Sequence, residues 1–386
     1  MQPDPAGTRR VARPKLLFLV TEDWYFCSHR LPVARAARDA GFTIAVATRV
    51  REHGEAIRAE GFELFPLRWK RRGDGVFAHL RAVRQIVRLY RSERPDILYH
   101  VALKPVLFGG LAARLAFAGG GRPVLLSAVM GLGTSAAAPR RRRALGRALC
   151  WVTNGGTALV QNPEDRDALI GFGLDPARIA LIRGSGVDPG YFAPLPEPDG
   201  PRIMVALVGR MLKSKGVLDA IAAVRRLRAK GVAVELLLAG APDSDSTDSL
   251  SAETLAGLGR EPGIDWLGHV ADIRDVWRRA AIAVLPSSYG EGVPKALLEA
   301  ASCARPIVAS DMPGCREIVV PGVTGMLVPA GDVAALARAI ATLANDPALR
   351  RRMGEAGRAR VETEFADRII GEQTVELCRM ELERAR

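Results

Sequence analysis

A chain of 386 residues is long enough for two domains, each with its own core. Hydrophobic residues at 48% and charged residues at 25% fit an ordinary globular protein, and no apolar run reaches the roughly 18–20 residues of a membrane-spanning helix. The formal net charge of +13 sits in the first half: residues 1–200 hold 30 Lys and Arg against 18 Asp and Glu, whereas 201–386 hold 25 against 24. That half should face something anionic, although an Arg-rich composition alone produces the same excess. Aromatic residues are only 5%, and no helix-turn-helix, finger or RNA-binding pattern is present, so nucleic acid is not an expected partner. Cys27, Cys150, Cys303, Cys315 and Cys378 are scattered and form no C-x-x-C pair, which points to neither a disulfide framework nor zinc. Residues 1–14 do not read as a signal peptide, so a cytoplasmic location is expected.

In chain order, apolar runs at 16–20, 43–48, 97–103, 124–129, 157–161 and 179–182 read as buried strands. Helical spacing appears at 30–40, closed by Gly41, and at 77–90. Residues 191–201 contain four prolines and a glycine and read as a linker. The alternation restarts with strands at 203–208, 234–239, 264–267, 282–285, 307–309 and 326–328. Helices follow at 333–343, 347–365 and 367–384. Strands separated by helices predict an α/β chain of two doubly wound parallel-sheet domains, joined near residue 196, with a ligand crevice between them.

The second half carries the densest chemistry. Between a strand ending at Gly209 and a helix beginning near Gly216, Arg210 and Lys215 offer two cations for a diphosphate and for the charge it gains on leaving. In Pro286-Ser-Ser-Tyr-Gly-Glu-Gly-Val-Pro-Lys-Ala-Leu-Leu-Glu299, Pro294 suits a helix start and Gly292 permits close backbone approach. The amides of that helix start form an anion site, and Glu291 and Glu299 are placed to accept hydroxyls at the two ends of a sugar nucleotide. Asp243-Ser-Asp245 has the D-x-D form of a metal site but lies in a polar loop, so no metal is expected.

These segments, with Ser310-Asp-Met-Pro-Gly-Cys-Arg-Glu-Ile-Val319 and Gly322-Val-Thr-Gly-Met-Leu-Val-Pro329, resemble the retaining glycosyltransferases of family 4. Ala239-Gly-Ala-Pro-Asp243, Trp266 to Arg274, Thr21 to Pro32 and His100 to Pro105 resemble more narrowly its capsular-polysaccharide branch. The resemblance implies a GT-B fold, with an acceptor domain over 1–195 and a donor domain over 196–365. A C-terminal helix over about 366–386 would pack back on the first. It implies that Arg210 and Lys215 hold the donor diphosphate beside Gly209, and that Glu299 binds the ribose. Glu291 would hold the transferred sugar with the backbone of Gly292 and Val293, and the backbone near His269 and Val270 would meet the base. The product would keep the donor's anomeric configuration, with no cofactor. Departures are Ala304 within Cys303-Ala-Arg-Pro306, Pro321 before Gly322, Tyr99 where a His pair is common, and a first loop, 21–25, without glycines.

On the acceptor side, Trp24, Tyr25, His29 and Arg30 follow the first strand, and His100 and Lys104 follow another. His100 is read as a catalytic-site hydrogen-bonding residue, Lys104 as a phosphate contact, and Trp24, His29 and Arg30 as acceptor contacts. Arg140 to Trp151 starts with four arginines, and Leu145, Leu149 and Trp151 are read as facing lipid, with 69–72 adding to the same face. The expected reaction moves a hexose or N-acetylhexosamine, UDP-linked by analogy with the branch, to a lipid-linked (polyprenyl-diphosphate) saccharide at the inner face of an anionic membrane. The alternatives are a non-catalytic nucleotide-sugar scaffold and a GT-B epimerase.

Overall fold

The structure is a computed structural model and describes residues 13–69, 75–132 and 139–385. Seven strands form the first sheet: β1 Lys15–Glu22, β2 Thr43–Arg49, β3 Glu63–Pro66, β4 Ile97–Val101, β5 Val124–Ala128, β6 Thr157–Val160 and β7 Ile179–Leu181, in the order 3-2-1-4-5-6-7. Six form the second: β8 Ile203–Val208, β9 Val234–Ala239, β10 Ile264–Gly268, β11 Ile282–Leu285, β12 Ile307–Ser310 and β13 Gly325–Val328, in the order 10-9-8-11-12-13. The ladders within both sheets are parallel. Parallel strands need crossovers, and the crossover helices cover both faces, which is why Leu16 to Val20 is an unbroken apolar run and wholly buried. In each sheet the strand order reverses beside its first strand, β1 against β4 and β8 against β11. Those two switch points open the crevice at the strands' carboxyl ends.

The chain changes domain at one narrow place. Val187 N–H donates to Phe365 O at 3.0 Å, and Asp367 N–H donates back to Val187 O at 2.9 Å, so the outgoing and returning strands lie side by side. Gly186, at φ +76°, permits this, since a Cβ there would meet Asp367 Cα at 2.5 Å. The proline-rich stretch is not the junction. Phe192 is buried in the second domain's core, and Arg305 donates to Pro196 O at 2.7 Å, so the stretch belongs to the second domain's surface. Helix Asp367–Ala385 returns to the first domain, where Ile370, Val375, Leu377 and Cys378 join the core beneath β1 and β4.

Two helices depart from the sequence expectation. The first loop is helical over Asp23–His29, because buried Asp23 accepts from the amides of Arg51 at 2.6 Å and His53 at 2.9 Å and fixes the helix start. Helix Leu103–Ala116 starts at the end of the apolar run 97–103, expected to be a strand throughout, and runs on through Gly109 and Gly110. Their missing side chains admit neighbours: a Cβ at Gly109 would lie 2.6 Å from His100 Nε2, and one at Gly110 would lie 2.7 Å from Val152 Cβ.

Candidate active site

A cleft of about 730 Å³ separates the sheets at their carboxyl ends. The second domain contributes the loop after β8, with Gly209, Arg210 and Lys215, and the loop after β11, from Tyr289 to Lys295. These two loops are packed backbone to backbone. Ser288 N–H donates to Ser214 O at 2.9 Å, and a Cβ on Gly216 would fall 2.1 Å from Pro286 O. The charges across them are paired. Arg210 Nη1 meets Asp243 Oδ2 at 2.6 Å. Lys215 Nζ donates to Glu291, whose other oxygen accepts from Ser287 Oγ at 3.1 Å. Asp248 accepts from Ser214 N at 3.0 Å and holds the β8 loop from behind. The loops therefore present fixed charges of both signs at the β8/β11 switch point.

The first domain faces them with Trp24, Tyr25, His29, Ala102, Met130 and Gln161. Tyr25 and His29 stack at 4.2 Å. Burial, followed by the nearby cations Lys295, Arg30 and Lys215, pushes His29 well below the usual imidazole range, so the ring stays neutral. Ala102 holds φ +73°, a strained position for a residue with a side chain, at the start of the helix that follows β4. Gln161 Oε1 accepts from Val293 N at 3.0 Å across the cleft, and a Cβ on Gly292 would come 1.8 Å from the same oxygen.

The family model for glycosyl transferases group 1 matches residues 202–346, and the model for glycosyl transferase 4-like domains matches 15–150. The two glycosyltransferase models thus fall one on each domain. Among the relatives, the alpha-maltose-1-phosphate synthase of Mycobacterium tuberculosis (strain ATCC 25618 / H37Rv) is 35% identical over 216 residues, covering 53% of this chain and 52% of the relative. The capsular polysaccharide biosynthesis glycosyltransferase CapM of Staphylococcus aureus is 31% identical over 170 residues, 44% of each chain. The chain thus spans about half the length of the curated relatives it matches. The crystal structure of Anabaena HepE in complex with UDP and glucose superposes with a TM-score of 0.77 at 20% identity, covering 95% of this chain and 99% of that one. That likeness and the two parallel sheets establish the GT-B fold.

Of the site residues expected from the sequence, eight line the cleft: Trp24, His29, Gly209, Arg210, Lys215, Glu291, Gly292 and Val293. Six do not. His100 is a correction, since it has no exposed surface, accepts or donates a 2.9 Å bond with Tyr90, and is pushed down to about 3 by burial. It is a neutral packing residue beneath Gly109. Arg30 is buried with its guanidinium 5.8 Å from the Tyr99 ring centre, behind the cleft wall. Lys104 lies over Trp69 at 5.6 Å and Phe108 at 5.5 Å. His269 is exposed and Val270 half-buried just beyond β10. Glu299 lies one turn inside helix Lys295–Ser302, half-buried, and burial raises its carboxyl to about 7, with Lys295 opposing.

Lys295 and Gln161 are cleft residues with cross-domain contacts that the sequence reading did not pick out. Lys295 donates from Nζ to Ser28 O across the domains, and Gln161 caps Val293. Lys295 stands inside the string Pro286 to Glu299, so its lining position was legible there. Gln161 gave no signal, because its role depends on a partner 132 residues away. Asp243 and Asp245 face arginines: Asp243 pairs with Arg210, and Asp245 with Arg51 at 2.8 Å across the cleft. Among the described residues no cluster of three or more metal-ligating side chains occurs. No described helix is long and apolar enough to cross a membrane. In helix Pro139–Thr153 the reading of Leu145 and Leu149 as lipid-facing is corrected. Leu149 is buried and Leu145 packs against the same core, because both follow the helix's inner stripe. Of the basic stretch at 69–72, residues 70–72 lie outside the described residues.

Proposed function

We propose that this chain is a retaining glycosyltransferase that takes a hexose or N-acetylhexosamine from a nucleoside diphosphate, UDP by preference, and transfers it to a lipid-linked saccharide. The supporting observation is the pair of ionic contacts Arg210–Asp243 and Lys215–Glu291 at the β8/β11 switch point. Phosphate oxygens replace the carboxylates as partners of Arg210 and Lys215, and Glu291 is released toward hydroxyls of the sugar. Glu299, one turn further along the helix, takes the ribose. Base contacts fall to the backbone at His269 and Val270, at the end of β10. HepE was crystallised in complex with UDP and glucose, and CapM is named for capsular polysaccharide biosynthesis, which favours this donor class and this branch.

The chemistry needs positioning more than proton relays. The C1–O bond to the diphosphate breaks, the acceptor oxygen bonds to C1 on the same face, and the acceptor proton passes to the departing phosphate oxygen. Arg210 and Lys215 stabilise the charge that builds on that oxygen. No side chain in the cleft is asked to act as general base, and no metal is required. Neutral His29 and Trp24 form an apolar-faced wall suited to a saccharide. The reading is tested with a panel of nucleotide sugars, measuring thermal shift and nucleotide release with membrane extract as acceptor. One UDP-sugar should raise the melting temperature and be consumed. If no member of the panel shifts melting or releases nucleotide, the reading fails.

A further inference from the structure

Helix Val76–Glu93 buries Ala82, Val83, Ile86 and Tyr90 against the first sheet, yet its opposite side starts with bare apolar groups. Phe77 is 86% exposed, Val76 73% and Leu80 53%. Exposed apolar side chains grouped this way mark an interaction surface. Arg81, Arg84 and Arg88 continue the row from Phe77 at i+4, i+7 and i+11, which is one helix face, and all three are exposed. The helix carries no acidic residue before Glu93, and Glu93 pairs with Lys15 at 3.0 Å. An apolar tip followed by cations alone complements an anionic, amphipathic surface.

Its place in the fold matters as much. The helix follows β3, so it begins at the carboxyl-end rim that holds the cleft. His79 sits against the Phe108 ring at 5.2 Å, and Lys104 lies over the same ring. Both Lys104 and Phe108 belong to helix Leu103–Ala116, which begins immediately after the cleft residue Ala102. The start of the helix is therefore packed through His79 against the helix that leaves the cleft at Ala102. Helix Pro139–Thr153 lacks this arrangement. Its exposed aromatic, Trp151, is covered by the Arg114 guanidinium at 4.5 Å from the ring centre.

We propose that this helix seats the protein on an anionic phospholipid bilayer. Val76, Phe77 and Leu80 enter the headgroup–acyl boundary, and Arg81, Arg84 and Arg88 meet headgroup phosphates. The cleft mouth then lies at the membrane surface, where the acceptor of the proposed reaction would be held. The inference deepens that reading but stands on exposure and charge alone. The full chain is sedimented with phosphatidylcholine vesicles, with and without phosphatidylglycerol, at low and high salt. Binding should require the anionic lipid and weaken with salt. Phe77→Ser with Leu80→Ser should lower partitioning by about tenfold, and Arg81→Gln with Arg84→Gln and Arg88→Gln by a similar factor. Arg143→Gln with Arg147→Gln, on the other helix, should leave it nearly unchanged. Donor hydrolysis measured without vesicles should be the same in every variant, which separates failure of this surface from failure of the donor site. Equal partitioning of all variants, or loss confined to the Arg143 and Arg147 variant, overturns the proposal. A dimer that dissociates on Phe77→Ser would assign the patch to a second copy and overturn it as well.

Discussion

The two domains share a sheet topology but present different rims to the cleft. The second places charges of both signs there, each carboxylate held by a cation or a hydroxyl. The first places stacked rings there, with Arg30 and Lys104 turned onto aromatic faces and Arg51 reaching across to Asp245 at the edge. Ion pairs exchange partners readily when an anion arrives, whereas a packed aromatic wall offers shape and little charge. In the proposed reaction this contrast would put the leaving group on the second domain and the accepting group on the first. The sharpest way to break it is to remove the charges. Lys215→Ala and Glu291→Ala should each lower transfer by roughly 10²–10³-fold while thermal melting stays near the parent value. A rate within a factor of two of the parent in either variant would place the chemistry elsewhere.

The seam between the rims comes next. Gly292→Ala drives a methyl into Gln161 Oε1, so the Gln161 amide must swing aside or the domains must part, and kcat/KM should fall by roughly tenfold. Adding Gln161→Ala makes room and should recover much of the loss. No recovery in the double variant would deny the steric cause.

A pH profile separates the rims by about tenfold. Burial holds the Glu299 carboxyl at about 7, above its ordinary value, so the protonated form dominates at pH 6 and the carboxylate at pH 8. A carboxylate accepts ribose hydroxyls better than its acid, so the affinity for UDP should rise by about tenfold from pH 6 to pH 8. Glu299→Gln should flatten the profile. The same raised value means that ionising Glu299 opposes folding. Its contribution to stability is full below the unfolded carboxyl range and is lost as pH climbs through about 7. His29, already neutral in the fold, should add nothing to the binding curve above pH 6, whereas its depressed value adds stability as pH rises through the unfolded imidazole range.

Smaller effects sharpen the comparison from the other side. Trp24→Ala should raise the acceptor KM by about fivefold and leave the affinity for UDP unmoved. Equal losses in both would mean that the aromatic wall also holds the donor. Arg51→Ala removes the half-exposed bridge to Asp245 and should cost below about 1 kcal/mol, fading as salt is added.

The same contrast explains what sequence could disclose. The second domain's site is written in contiguous strings, from Gly209 to Gly216 and from Pro286 to Glu299, because one strand-end loop carries several functional groups at once. Its strands β8, β9 and β11 match their apolar runs to the residue. The first domain assembles its wall from single residues on separate loops, so Gln161 carries no local signature. His100 looked functional because it ends a buried strand. Only the packing of Gly109 and Tyr90 against its ring reveals a core residue. β3 stayed hidden because at the sheet edge only Leu64 and Phe65 are half-buried, between exposed Glu63 and Pro66, so it bears no apolar run.

The most direct test is a crystal of the chain soaked with UDP. The diphosphate should lie between Arg210 and Lys215, with both side chains turned from Asp243 and Glu291 and the ribose against Glu299. UDP bound elsewhere, with Arg210 still on Asp243 and Lys215 still on Glu291, would contradict the assignment of the leaving group to the second domain.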